Sequence, residues 1–168
     1  MNYTIKLSIN LLIRLVVFMG SILKRFSLLM LVASVQAAEL PNISNTPGKA
    51  RSVTVQELCT TKTSTVRNVP DSLKNKVFKA YGMSGNDRSV CKEGYEIDHL
   101  VSLELGGDND QLNLWPQSYC GTNNAHDKDK LENELHRQVC KGQITLIQAQ
   151  NCIARDWVLC YKQTMKTK

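Results

Sequence analysis

The sequence predicts a small α+β domain in which one β-hairpin is set among helices and secured by disulfides. Three observations carry this reading. Ile97, His99, Val101, Leu103 and Leu105 alternate with Glu96, Asp98, Ser102 and Glu104, the period-two pattern of a strand, broken by Leu100. Other stretches repeat apolar residues at helical spacing. Six cysteines, an even number, all fall after residue 37.

The helices come with start and stop signals. Thr54-Val55-Gln56-Glu57 has capping-box spacing and starts a short helix near Cys59. Asp71 follows Pro70 and precedes Leu73, Val77 and Tyr81, with Gly82 directly after, so a helix runs over 71–81. The strand over 95–105 meets Gly106-Gly107-Asp108-Asn109-Asp110, which is turn chemistry. Gln111 to Trp115 is the return strand, and Pro116 ends it. Asn123 and Asn124 are N-caps for a helix over 125–139 that carries Leu131, Leu135 and Val139 on one side. Thr145 and Gln148 form a second capping box, after which Leu146, Ala149, Ile153, Trp157 and Cys160 share a helical face. Trp115 and Trp157 read as core.

Residues 1–37 differ from the rest. They hold Lys6, Arg14, Lys24 and Arg25, no acidic residue, and long apolar runs ending in Val35-Gln36-Ala37. That is a secretory signal cleaved after Ala37, of ordinary length if translation starts at Met19. Arg14, Lys24 and Arg25 interrupt every run long enough to span a bilayer, which argues against a membrane anchor. The remainder divides into a flexible lead-in over 38–53, a domain over 54–163 and a short tail over 164–168. An exported protein, periplasmic or secreted, is the expectation.

Export changes the charge. Four of the 21 basic residues leave with the signal and none of the 15 acidic ones, so 17 face 15 and the net charge falls from +6 to about +2. Bulk charge is then a weak pointer to nucleic acid, and a phosphate-binding surface must rest on local placement. In an exported chain Cys59, Cys91, Cys120, Cys140, Cys152 and Cys160 read as disulfides. With no Cys-x-x-Cys pair, a structural zinc knuckle is not expected. One pairing is disfavoured: Cys152 and Cys160 sit eight residues apart in a predicted helix, about 12 Å along its axis, beyond disulfide reach.

Chemistry-bearing residues gather between Tyr95 and His136. Glu96-Ile97-Asp98-His99-Leu100 puts a carboxylate beside an imidazole at a strand. The hairpin returns through Asn113-Leu114-Trp115-Pro116, and a helix opens with Ala125-His126-Asp127-Lys128-Asp129-Lys130. A neutral imidazole can take a proton from attacking water. A carboxylate and a second imidazole can hold a divalent cation. An amide can brace the hairpin through backbone groups.

On the segments Glu96 to Leu100, Gly106-Gly107, Asn113 to Gln117 and Ala125 to Glu132, the chain resembles the HNH endonucleases of the ββα-metal superfamily, and among them exported proteins with these motifs. The resemblance extends from about Cys59 to Trp157. It implies a ββα-metal core with flanking helices. It implies His99 as general base, Asn113 as the amide supporting the hairpin, and Asp98 and His126 as ligands of one metal ion. The ion would be Mg²⁺ or Mn²⁺, with Zn²⁺ and Ni²⁺ compatible. The chain departs from the commonest pattern in lacking the Cys-x-x-Cys pairs, and residues 116–124 set His126 further from Asn113 than the compact motif does.

Ten residues, about 15 Å of helix, separate His126 from His136, so the two cannot grip one small ion. His126 is the expected ligand and His136 a substrate contact. Lys128 and Lys130 are candidate phosphate contacts, the alternative for both being a solvated helix face. Glu132 has no catalytic role in this reading, and Arg67 and Arg137 are not singled out. The expected activity is metal-dependent hydrolysis of nucleic acid, DNA ahead of RNA, with little base readout. The alternatives are a nucleic-acid- or metal-binding protein of the same fold that has lost catalysis, and a disulfide-rich exported protein whose motif is structural.

Overall fold

The computed structural model describes residues 40–86 and 88–166, and the signal sequence read over 1–37 lies outside them. Helices α1 (Val55–Thr60), α2 (Thr63–Val66) and α3 (Asp71–Ala80) lead into strands β1 (Tyr95–His99) and β2 (Leu114–Ser118). Helices α4 (Ala125–Cys140) and α5 (Leu146–Lys166) follow. The strands form an antiparallel pair in register from Tyr95↔Ser118 to His99↔Leu114. No helix of the described residues is long and apolar enough to cross a membrane.

Local chemistry sets the helix starts. The Thr54 hydroxyl accepts from Glu57 N–H at 3.1 Å, and Asn124 Oδ1 accepts from Asp127 N–H at 3.3 Å. Thr145 and Gln148 bond reciprocally, through Thr145 N–H to Gln148 Oε1 at 2.8 Å and Gln148 N–H to Thr145 Oγ1 at 3.2 Å. Each bond occupies a helix-end donor that the helix itself leaves open.

The hairpin is shorter than its sequence pattern. β1 stops at His99, and Leu103–Leu105 is a 3-10 turn. Leu100, Val101, Leu103 and Leu105 are all buried, so the loop wraps over the core and the alternating pattern does not continue as a strand. The turn needs its glycines. Gly106 has φ +78°, and a Cβ on Gly107 would lie 1.8 Å from Val101 O. β2 runs through Pro116, opposite Ile97. In a two-stranded sheet each strand keeps an open edge, where a missing N–H costs little.

The lead-in is fixed by this loop rather than flexible. Gly48 N–H bonds Leu112 O at 3.0 Å, Arg51 N–H bonds Gly106 O at 2.9 Å, and Asp108 N–H bonds Lys49 O at 2.9 Å. The buried Thr46 hydroxyl donates to Leu114 O at 2.8 Å.

Leu131, Leu135 and Val139 of α4 meet Ala149, Ile153 and Trp157 of α5 in the core, which also takes in Trp115. Three disulfides, Cys59–Cys140, Cys91–Cys120 and Cys152–Cys160, use all six cysteines. They fit an oxidising compartment, extracellular or periplasmic. The Cys152–Cys160 bridge corrects the expectation from helix length. Asp156 is extended (φ −164°, ψ 92°) and breaks α5, its Oδ1 accepting from Leu159 N–H at 2.9 Å to start a second helical stretch. The two Cα atoms are therefore 5.5 Å apart.

Candidate active site

Asn113 completes the hairpin from inside. Its Nδ2 donates to Val101 O and Asp108 O, each at 2.9 Å. Its Oδ1 accepts from Val101 N–H at 2.9 Å and Lys49 N–H at 3.2 Å. That fills every hydrogen-bonding position of a fully buried amide. Asn113 shapes the loop and is absent from the lining of the cavity below.

A cavity of about 220 Å³ lies beside the end of β1, lined in part by Asp98, His99, Ser102 and Glu104 from the hairpin side and by Asp129 and Glu132 from α4. Neighbours in a regular strand point to opposite faces, and here the strand ends at His99, so both Asp98 and His99 reach the cavity wall.

Asn109, in the turn, holds the imidazole. Asn109 Oδ1 accepts from Asn68 N–H at 3.0 Å, while its Nδ2 donates to Val66 O at 2.9 Å. Those backbone bonds fix which end of the amide is oxygen. His99 Nε2, 3.1 Å from Asn109 Oδ1, must then carry the hydrogen, leaving Nδ1 as the lone-pair nitrogen of the neutral ring. Burial pushes the His99 imidazole below its usual value, against the Asn109 bond and the Asp98 charge, so the ring is neutral at pH 7.

Lys128 is the buried hub of the site. Its ammonium donates to Asp98 Oδ2 at 2.6 Å, to His99 O at 2.7 Å and to Glu132 Oε1, and its side chain is 1 % exposed. An ammonium has three N–H bonds, and all three are used. Burial would lower the Lys128 value, but Asp98 and Glu132 hold it above the ordinary lysine range. This corrects the candidate phosphate contact: Lys128 has no donor left for a substrate. Burial, reinforced by Asp98, pushes Glu132 up to about 8. Burial also raises Glu104 and Asp129, with Asp129 adding to the first and Asp98 to the second. In the same wall the Ser102 hydroxyl and Glu104 Oε2 are buried with no hydrogen-bond partner.

The other expected residues lie elsewhere. His126 is exposed, its ring 5.4 Å from that of Tyr119, and it does not line the cavity that contains Asp98. Lys130 is exposed and pairs with Asp127 at 2.9 Å. His136 Nε2 is 3.4 Å from Cys140 Sγ. Cys59, His136 and Cys140 form the one described group of three metal-binding residue types whose ligand atoms all lie within 4.8 Å of one another. The group could hold a metal ion, but its two sulfurs are joined, and the ligating form of cysteine is the thiolate.

The sequence reading missed Asn109, Glu104, Asp129 and Glu132. One signal was available: Lys128 continues the buried stripe of Leu131, Leu135 and Val139 at i, i+3, i+7 and i+11, a core position for a charged residue. A buried lysine requires partners, and Glu132 is one helical turn on. No family model matches the chain, and neither a curated protein nor a solved structure matches it.

Proposed function

We propose that this is an exported, metal-dependent phosphodiester hydrolase of the HNH type, acting on DNA. The single observation that carries the reading is His99, held neutral with Nδ1 as its free lone pair, in the wall of a cavity that also holds Asp98. A β-hairpin followed by α4, braced by a saturated Asn113, supports a ββα-metal core.

The cavity offers carboxylates of the kind that hold a hard divalent cation, although no three of them bring ligand oxygens within 4.8 Å of one another in the metal-free fold. Asp98, Glu104, Asp129 and Glu132 line one small cavity, and the donors of Lys128, buried behind its wall, are all used by Asp98, Glu132 and the His99 carbonyl. Unpartnered oxygens on Ser102 and Glu104 add to the demand for a cation. All these donors are oxygen, the set that Mg²⁺ or Mn²⁺ takes with several waters retained. Asp98, Asp129 and Glu104 are the residues that would hold it, and His126 leaves the ligand set. When bound, such an ion polarises a phosphoryl oxygen and offsets developing negative charge.

The chain's own part follows. His99 Nδ1 takes a proton from water as the water oxygen bonds to phosphorus, one P–O ester bond breaks, and solvent protonates the leaving oxygen. Asn109 keeps the tautomer that makes this possible. Lys128 fixes Asp98 through Oδ2 and the His99 backbone through its carbonyl.

The reading is tested by incubating supercoiled plasmid with purified mature protein and Mg²⁺ or Mn²⁺, with EDTA as control. Nicked and linear DNA that EDTA prevents is the expected result, and intact plasmid under both metals overturns it. One observation favours the second reading, a binding protein without catalysis: the Lys128 ammonium already lies between Asp98 and Glu132. That reading expects bound DNA or bound metal and no cutting.

A further inference from the structure

We propose that Arg67 grips the non-bridging oxygens of the phosphate being cut; this rests on the hydrolase reading and names the residue that holds its substrate. The first ground is placement. Arg67 follows α2, and the backbone groups on either side of it, Val66 O and Asn68 N–H, are both bonded by the side chain of Asn109. The same amide holds His99 Nε2. One half-buried amide therefore fixes the base and the backbone flanking Arg67 together, and both residues line the cavity.

The second ground is the inventory of cations. Lys128 is buried with every donor used. Lys130 is paired with Asp127, and Lys49 with Asp108 and Asp110, and neither lines the cavity. Arg67 does line it, is exposed, and among the described residues forms no ion pair with a carboxylate. Its charge reaches both His99 and Asp129, opposing proton uptake by each.

The third ground is chemistry. A phosphodiester is an anion, and Asp98, Glu104 and Asp129 in this wall repel it. A bound divalent ion offsets part of that. A guanidinium supplies the rest in a form that fits, since its planar fork meets two phosphate oxygens at once, which an ammonium cannot do. The ligand class is thus a phosphodiester held by its reacting phosphate.

The experiment compares wild type, Arg67→Ala and Arg67→Lys on plasmid and on bis(4-nitrophenyl) phosphate in Mn²⁺. The small diester has no flanking phosphate. Arg67→Ala should lower its kcat/KM by about 10²–10³-fold, the usual loss for one donor to a developing charge, and Arg67→Lys should recover only part. A wild-type rate on the small diester overturns the proposal, including when plasmid cutting alone falls, since Arg67 would then hold a neighbouring phosphate. A second arm measures anisotropy of a labelled single-stranded oligonucleotide with His99→Ala and with His99→Ala/Arg67→Ala in Mn²⁺. Loss of a charge-assisted hydrogen bond should weaken binding about tenfold or more, and equal affinity overturns the proposal. If wild type cuts nothing, the hydrolase reading fails and the reacting-phosphate assignment fails with it, while the binding arm still shows separately whether Arg67 holds a phosphate. Arg67 is exposed, so Arg67→Ala should keep all three disulfides and the wild-type circular dichroism spectrum.

Discussion

Lys128 and Lys130 stand two residues apart on α4 and have opposite surroundings. The first is 1 % exposed and bonded to Asp98, Glu132 and the His99 carbonyl. The second is 61 % exposed and paired with Asp127. Two residues are about 200° around a helix, so one faces the core and the other faces solvent. His126, two residues before Lys128, goes outward for the same reason. The lesson is that residue type proposes a role while helical phase decides whether the side chain can reach the site.

The largest expected effect pits the inner histidine against the outer one. His99→Ala should cut plasmid about 10²–10⁴-fold more slowly than wild type, the usual loss of a general base, while His126→Ala should cut close to the wild-type rate and titrate Mn²⁺ normally. Calorimetry and a cleavage time course check both. Loss of Mn²⁺ binding in His126→Ala would return that residue to the ligand set and break the comparison.

Next comes stability. Lys128→Met removes one partner from a buried pair and leaves Asp98 without its counter-charge, which costs roughly 3–5 kcal/mol in such sites. Lys130→Met breaks a solvated pair and should leave the denaturation midpoint near wild type. Guanidinium titrations with disulfides intact would separate the two, and equal midpoints would mean that Lys128 is no hub.

The smallest effect is in pH, where the two lysines' carboxylate partners move in opposite directions. Burial raises Glu132 from 4.5 to about 8, so the metal-free fold holds a proton there that the unfolded chain releases. Its contribution to stability is present below about pH 4.5 and is lost as pH rises toward 8. Asp127, lowered from 3.8 by its hydrogen bond with Lys130, contributes above that value and loses its contribution as pH falls through the folded value. Glu132→Gln should therefore flatten the alkaline side of a melting-temperature profile, and Asp127→Asn the acid side by less, because Asp127 is the better solvated. An unchanged alkaline side in Glu132→Gln would remove Glu132 from the buried cluster.

Helix starts were legible because they are local: Thr54 with Glu57, Asn124 with Asp127 and Thr145 with Gln148 lie three residues apart and bond within one turn. Asp98, His99 and Asn113 were legible as a motif, and the Asn113 bonds span at most 12 residues within the hairpin loop, apart from one to Lys49. The break in α5 was not legible. The stripe Leu146, Ala149, Ile153, Trp157 and Cys160 keeps helical spacing across Asp156, so periodicity hides a single extended residue that brings Cys152 and Cys160 together.

By itself the sequence determined the order of elements, the helix caps, the glycine turn and the adjacency of a carboxylate and an imidazole on one strand, because each rests on neighbours a few residues apart. Tertiary structure alone decided that Asn109 reaches His99 and the backbone flanking Arg67, that Glu104 and Asp129 line one cavity, and that Lys128 faces in while His126 faces out. Those contacts join residues from separate elements, and their partners are chosen by which faces pack against the core, a choice that no local spacing encodes.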